Sequence, residues 1–528
     1  MANNQADCYW EYLKRTCPNL DSHSISLVVS FLEGTSWENP TSALDFNNFA
    51  VVALIEAEQC EDLSLRAIYL DMALDALNRG VQLYKNPLCA AHLALVKAMT
   101  GEMYTSAHLA FNTFVEILQP AFAGTEKLLP GIVYLPSVSS SLKNADSELI
   151  IQLLNAEEGY AQSLLLLSEA LCRSQLAFYT GVSLRALHLA SHIFSSSISL
   201  NLKLGISSLV NSQEEGLFYL HRARLLSTDA PPILQALYLA YRDLKQKHLA
   251  NFWLGIAQQK LQKNPESLDL QWAKLNGDSP LTYVAFDQNL VLAVEPSFRS
   301  YVTSVLLAEG DWFEKEMEFW RSSIKHGMTV IDVGANVGVY TFSAAQRVGS
   351  QGRVLAVEPF SGCVRCLEES CRINNISWVK VCAGAASDRE GTVRLSLFSA
   401  SELNEVTTKE SSPNMPPGSF EDVRCFTLDS LIDEENLSRV DFLKIDAEGH
   451  EMSVLAGSER ILSQFSPVIL YENIAGSKGS NTAVAEFLQL RGYKLFTYRG
   501  YVRDLKALDS AMDMAATLNI IAIRGSSI

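Results

Sequence analysis

Two textures of hydrophobic patterning succeed one another along the chain. Up to about residue 275 apolar side chains recur at three- and four-residue spacing, rich in Leu and Ala with few β-branched runs, and predict helix after helix. Beyond it, short runs of Val, Ile and Leu alternate with helical stretches, as in a parallel sheet with crossover helices. LNGDSP at 275–280 reads as the linker. The expected organisation is an all-α domain over 1–275, a linker with a lead-in hairpin and helix over 276–327, and an α/β domain over 328–528.

Within the helical part, Ala94, Leu95 and Ala98 fall on one helix and Ala107, Ala110 and Phe111 on the next, with a break at Gly101. This pair resembles a degenerate tetratricopeptide repeat, whose small residues let two antiparallel helices approach closely. A second such unit runs from Leu237 to Pro265, where Ala240, Tyr241 and Leu244 face Trp253, Leu254 and Ala257. Helical stretches at 49–80, 148–173 and 178–200 supply further units, but 120–147, with PAFAG, LPG, LPS and VSSS, interrupts any repeat. An irregular helical bundle is the alternative. A tetratricopeptide-like array presents a concave surface suited to a protein partner.

Length and charge narrow the function. A chain of 528 residues, 48 % hydrophobic and 19 % charged, is a multidomain globular protein. Forty-two basic against 59 acidic residues give a net charge of −17, which argues against nucleic acid as the main partner. The opening MANNQADCYWEYLKR lacks the order of a secretory leader, and apolar runs such as 49–55 and 164–167 are too short for a membrane span, so a cytoplasmic protein is expected. Ten cysteines without framework spacing read as reduced thiols; Cys363, Cys366 and Cys371 in CVRCLEESC read as thiols along a helix rather than a zinc site. His188 and His192, four apart on a helix, lack a third ligand and read as ordinary helix residues.

The chemistry begins at Met328. In MTVIDVGANVGVYTFSAAQ a strand ends at Asp332, the chain turns through Gly334, Asn336 and Gly338, and a helix starts near Tyr340. This is a βα nucleotide-binding turn, in which glycine lets the backbone bend sharply and approach a ligand. Asn336 stands in place of the middle glycine of a dinucleotide fingerprint and no P-loop lysine follows, so a phosphate ligand and a nicotinamide oxidoreductase are disfavoured. Asp332 would repel a pyrophosphate but attract an ammonium or sulfonium group. A second strand ends in Glu358, whose carboxylate can accept from both hydroxyls of a ribose; Pro359 and Phe360 then offer an apolar surface to an adenine. Small Ala385 and Ala386 after the third strand leave room for the base. Together these residues fit S-adenosylmethionine.

The motifs VIDVGANVGVYTF at 330–342, VLAVEPF at 354–360, AASDREG at 385–391, DFLKIDAEGHE at 441–451 and PVILYEN at 467–473 resemble, in order and spacing, the FkbM-type family of S-adenosylmethionine-dependent methyltransferases. The resemblance covers about 280–528 and leaves the helical half outside. It implies an α/β class I (Rossmann-like) methyltransferase fold with a doubly wound, seven-stranded sheet. It also implies S-adenosylmethionine as cofactor and O-methylation of a hydroxyl on a sugar, glycolipid or polyketide-like acceptor. The family pattern carries Asp446, Glu448, Gly449 and Glu451, whereas the His450 position accepts several residue types.

Methyl transfer to an alcohol needs the oxygen positioned and its proton removed. Asp446, then Glu448, then His450 are the expected catalytic residues, projecting from or just beyond the ligand edge of the fourth strand. A divalent cation held by these acids, with Glu472 and Asn473, is a less favoured reading. Glu451 reads equally as a helix cap, and Lys444 as a partner for one of the acids. The polar segment 399–420 is expected to close over the acceptor. N-methylation at the same cofactor site, or a non-catalytic helical scaffold fused to a methyltransferase-like domain, are the alternatives.

Overall fold

Helix starts in the first half are set by side chains that accept the free N–H groups of the first turn. In the computed structural model, which describes residues 2–117, 128–136, 150–156, 159–173, 181–193, 195–228, 230–398, 404–407, 418–473, 481–509, 514 and 517–525, α1 spans Ala2–Thr16. Asp21 caps α2 (Ser22–Glu33), and a Ser42–Asp45 capping box starts α3 (Ala43–Gln59). Asp62 caps α4 (Leu63–Tyr84), and Asn86 caps α5 (Pro87–Met99), which has proline in its first turn. There follow α6 (Met103–Ile117), α7 (Gly159–Arg173), α8 (Gly181–Ile193), α9 (Ile198–Val210), α10 (Gly216–Leu226), α11 (Pro231–Asp243) and α12 (Lys247–Lys263).

Ala94, Leu95 and Ala98 lie on α5 and Ala107, Ala110 and Phe111 on α6, with the turn at Gly101 (φ 86°), and the stretch from Leu237 to Pro265 carries α11 and α12. The stretch 49–80 is two helices, broken at 60–62. Much of 120–147 lies outside the described residues.

Contacts divide the chain into two units. The first comprises Met1–Trp253, Ala308–Phe313 and Arg499–Asp504; the second comprises Leu254–Leu307, Glu314–Tyr498 and Leu505–Ile528. The division falls inside α12, ahead of the 275–280 segment.

The strands of the second unit begin with the hairpin β1 (Thr282–Phe286) and β2 (Leu290–Val294), whose turn residues Asp287 and Gln288 both have positive φ, matching a tight hairpin's twist. After α13 (Tyr301–Glu309) and α14 (Glu316–Ser323) come β3 (Thr329–Val333), α15 (Val339–Val348), β4 (Arg353–Glu358), α16 (Ser361–Ile373) and β5 (Val379–Ala383). Short β6 (Ala385–Ala386), β7 (Gly391–Ser396), β8 (Glu405–Thr407) and β9 (Phe420–Phe426) form a separate four-stranded sheet in the order β6-β9-β7-β8. The chain closes with α17 (Leu428–Glu434), β10 (Phe442–Ile445), α18 (Glu451–Ala456), β11 (Val468–Glu472), α19 (Thr482–Leu490), β12 (Tyr493–Arg499), β13 (Asp504–Ala507) and β14 (Asn519–Arg524).

The main sheet runs β13-β12-β14-β11-β10-β3-β4-β5, with β5, β4, β3, β10 and β11 parallel and β14 antiparallel to β11 and β12. Among the described residues it has eight strands, not the expected seven, because β13 adds to the edge beyond β12. Strand order reverses between β3 and β10, and it is outside the carboxyl ends of such neighbours that an open α/β sheet leaves a crevice. Ile331, Val333, Leu355, Val357, Leu443 and Ile445 fill the core beneath that edge.

The segment expected to close over the acceptor is strand in part: Glu405–Thr407 pair with Arg394–Ser396. Residues 399–403 and 408–417 lie outside the described residues.

Candidate active site

Register puts Asp332 of β3 opposite Lys444 of β10. Side chains of paired residues share a sheet face, and those two apart on a strand do too, so Asp332, Lys444 and Asp446 come together. Lys444 Nζ lies 2.9 Å from Asp446 Oδ2 and 3.8 Å from Asp332 Oδ1, and 4.8 Å from the Tyr340 ring centre. Asp332 is fully buried; its Oδ2 accepts from Thr341 Oγ1 at 2.6 Å, while Oδ1 has no hydrogen-bond donor. Burial raises the Asp332 pKa, opposed by Lys444 and the Thr341 hydroxyl. Burial alone would lower the Lys444 ammonium, but Asp446 and Asp332 more than offset it and hold it above the ordinary lysine value.

The turn after β3 is shaped by backbone conformation. Gly334, Asn336 and Gly338 have φ of 73°, 49° and 98°, a region that glycine enters freely and asparagine tolerates. Gly338 opens α15, where a Cβ would come 2.6 Å from the Phe342 ring. Asn336 N donates to Glu358 Oε2 at 2.7 Å, and Phe360 N donates to Glu358 Oε1 at 2.8 Å. Glu358 is thus pinned at the end of β4. Burial pushes its carboxyl up to about 7 against the pull of those two N–H groups. Pro359 is half-buried beside it.

The acids after β10 and β11 form a second cluster. One carboxylate oxygen from each of Asp446, Glu448 and Glu472 lies within 4.8 Å of the other two. Burial, then Asp446, Glu448 and Glu451, hold Glu472 well above the carboxylate range, and its Oε2 is buried without a hydrogen bond. A divalent cation uses carboxylates at such spacing, but Lys444 already supplies positive charge beside Asp446. Asn473, expected to complete such a set, is engaged with backbone: Nδ2 donates to the carbonyls of Met514 and Thr517, and Oδ1 accepts from Asn481 N. Glu451 accepts from the N–H groups of Ala447 and Gly449 and from Asn481 Nδ2, and so holds the turn after β10.

His450 precedes α18, with Nε2 3.1 Å from Ser387 Oγ. Ala385 and Ala386 are buried and pair with Cys425 and Phe426. Sequence reasoning passed over Glu314 and Thr341. Tyr340 O–H donates to Glu314 Oε2 at 2.6 Å, and no signal marked Glu314, which lies outside the nucleotide motifs. Cys363 and Cys366 are buried on α16, and His188 Nδ1 lies 2.9 Å from Tyr219 O–H.

The residues present fit S-adenosylmethionine. A fixed carboxylate closes β4, the turn after β3 passes through three residues of positive φ, and Asp332 keeps an acceptor oxygen without a hydrogen-bond donor. No helix among the described residues is long and apolar enough to cross a membrane.

Among curated proteins the chain is similar to Methyltransferase 1 of Beauveria bassiana, 23 % identical over 186 residues, 32 % of this chain and 74 % of that protein. It is also similar to Methyltransferase sdnD of Sordaria araneosa, 27 % identical over 154 residues, 24 % of this chain and 59 % of that one. Among solved structures it is similar to methyltransferase FkbM of Methylobacillus flagellatus, with 16 % identity, a TM-score of 0.27, and coverage of 42 % of this chain and 53 % of that one. Residues 332–495, which carry the β3 turn, Glu358 and the acids after β10, match the family model described as the methyltransferase FkbM domain.

Proposed function

We propose that the second unit is an S-adenosylmethionine-dependent O-methyltransferase acting on a hydroxyl of a sugar, glycolipid or polyketide-like acceptor. The observation that carries the cofactor reading is Glu358, pinned by the N–H groups of Asn336 and Phe360 at the end of β4. Those two bonds leave lone pairs on both oxygens to accept from a pair of vicinal hydroxyls. When bound, the cofactor supplies a methyl group already activated on a sulfonium. Asp446 takes the acceptor's proton, since a carboxylate within hydrogen-bond reach turns an alcohol into a competent nucleophile. Lys444, 2.9 Å away, holds Asp446 in place. Glu448 and His450 flank the acceptor, and Ala385 and Ala386 line the base.

N-methylation has one observation in its favour: the carboxylates of Asp446, Glu448 and Glu472 would also attract an amine in its ammonium form. The helical unit supplies a protein-binding surface in either case.

Calorimetric titration with S-adenosylhomocysteine tests the reading. Micromolar binding to the wild type, weakened at least about tenfold in Glu358→Gln, supports it and justifies screening acceptors with labelled cofactor. A folded wild type that binds nothing overturns it.

A further inference from the structure

Residues 131–135 belong to no helix or strand, yet Ile132, Val133 and Tyr134 are fully buried and Leu135 nearly so. Their backbone is met by side chains instead. Val133 N–H donates to Tyr9 Oη (3.2 Å) and its carbonyl accepts from the same hydroxyl (3.0 Å). Leu135 does the same with Tyr12 (3.0 and 2.9 Å), and Gly131 with the two ends of the Gln162 amide (2.9 and 3.0 Å). The intervening residues turn the other way. Ile132 N–H donates to Asn48 Oδ1 (3.2 Å), its carbonyl accepts from Asn47 Nδ2 (3.0 Å), and Tyr134 N–H donates to His92 Nε2 (3.2 Å).

Alternation with a period of two is the signature of an extended chain. Each tyrosine hydroxyl, donating to and accepting from one residue, does the work of a neighbouring strand. Tyr9 and Tyr12 lie on α1, Asn47 and Asn48 on α3, His92 on α5 and Gln162 on α7. These helices pack on one another: α1 on α3, α3 on α5, α5 on α7. What the cradle grips is backbone, which any extended peptide offers equally. What it selects is side chains. A Cβ on Gly131 would meet Leu44 Cδ1 at 2.7 Å and Asn48 Oδ1 at 2.9 Å, so a larger first residue must push those side-chain ends aside and glycine is favoured there. The next four are enclosed apolar sites, and the Tyr134 hydroxyl donates to Tyr501 Oη at 3.3 Å.

We propose that this cradle is a peptide-recognition site held in this chain by residues 131–135, and that a partner protein presenting an extended Gly-aliphatic-aliphatic-Tyr-aliphatic segment takes the same place. Exchange leaves every donor and acceptor of the cradle paired, because the incoming backbone repeats the outgoing one. The internal segment competes at the high effective concentration of a tethered ligand, so the free site is masked in the resting chain.

The test uses the full chain and a fluorescein-labelled peptide, LPGIVYLP, the sequence of residues 129–136. In Val133→Asp a charge evicts the internal segment while leaving the cradle intact. Fluorescence anisotropy is expected to show the peptide binding this variant at least about tenfold more tightly than the wild type. Adding Tyr9→Phe and Tyr12→Phe is expected to remove that gain, and a scrambled peptide to bind neither protein. A Val133→Asp protein with native circular dichroism that binds no peptide overturns the proposal. If that variant does not fold, hydrogen exchange on the wild type decides. Amides of 131–135 exchanging about tenfold or more faster than those of α1, α3 and α5 support a releasable segment. Exchange in step with those helices overturns it.

Discussion

A Cβ built on Gly334 would lie 1.7 Å from the carbonyl oxygen of Asp446. The ends of β3 and β10 approach so closely there that only a residue without a side chain fits. The same contact brings the backbone of the candidate cofactor turn against that of the candidate base. The obstruction is main chain, and φ is already +73°, so Gly334→Ala must force the two strand ends apart. A loss of about 3 kcal/mol in unfolding free energy is expected, together with loss of S-adenosylhomocysteine binding. Gly255→Ala, in a helix with open space around the new methyl, is expected instead to stabilise by about 1 kcal/mol. Denaturant midpoints that move alike in the two variants would refute the steric argument.

Lys444 is buried between Asp332 and Asp446. Lys444→Met strands a buried carboxylate, and a loss of about 3 to 5 kcal/mol follows. Adding Asp332→Asn removes the charge left unpaired and is expected to restore more than half of that loss. A double variant no more stable than the single one would show that Lys444 acts elsewhere.

Asp446→Asn keeps the shape of the side chain and removes its basicity. Turnover of an acceptor hydroxyl is expected to fall by about a hundredfold or more, with cofactor affinity unchanged. Equal losses in cofactor affinity and turnover would make Asp446 a cofactor residue.

Glu358 titrates near 7 in the folded chain against an ordinary 4.5. The folded state therefore binds this proton more tightly between those values. The resulting stabilisation, of order 3 kcal/mol, is complete below the unfolded pKa and is lost as pH rises through 7. Cofactor binding should move the other way, because only the carboxylate accepts fully through both oxygens. Affinity for S-adenosylhomocysteine is expected to rise between about pH 6 and about pH 8 and to be flat in Glu358→Gln. A wild type without that rise would disconnect Glu358 from the ligand.

His92 behaves oppositely. Burial depresses it to about 4 from 6.5, and its Nε2 is the acceptor for Tyr134 N–H, which requires the neutral ring. The unfolded chain binds the proton first, so stability contributed by this group is present above pH 6.5 and declines on acidification towards 4, by about 3 kcal/mol in all. Glu358 pulls the other way over part of that range, so the quantity to measure is the pH dependence of the difference between wild type and His92→Gln. A difference that does not change with pH would place a charge on the folded-state ring.

Local pattern made much of this protein legible. Glycine and asparagine between a strand and a helix announced the turn at 334–338 because positive φ demands such residues, and acids at successive strand ends announced Asp332, Glu358 and Asp446. What the chain's order did not disclose depends on contacts between residues far apart in sequence. Asp332 and Lys444 become partners only through the β3–β10 register, and Glu314 reaches Tyr340 from outside every motif. The eighth strand depends on β13 finding the edge of β12. The 131–135 segment looks like loop because its hydrogen-bond partners are side chains of four helices, and no periodicity within five residues records them. Spacing along a chain encodes local geometry; which distant groups satisfy one another is settled only when the backbone is packed.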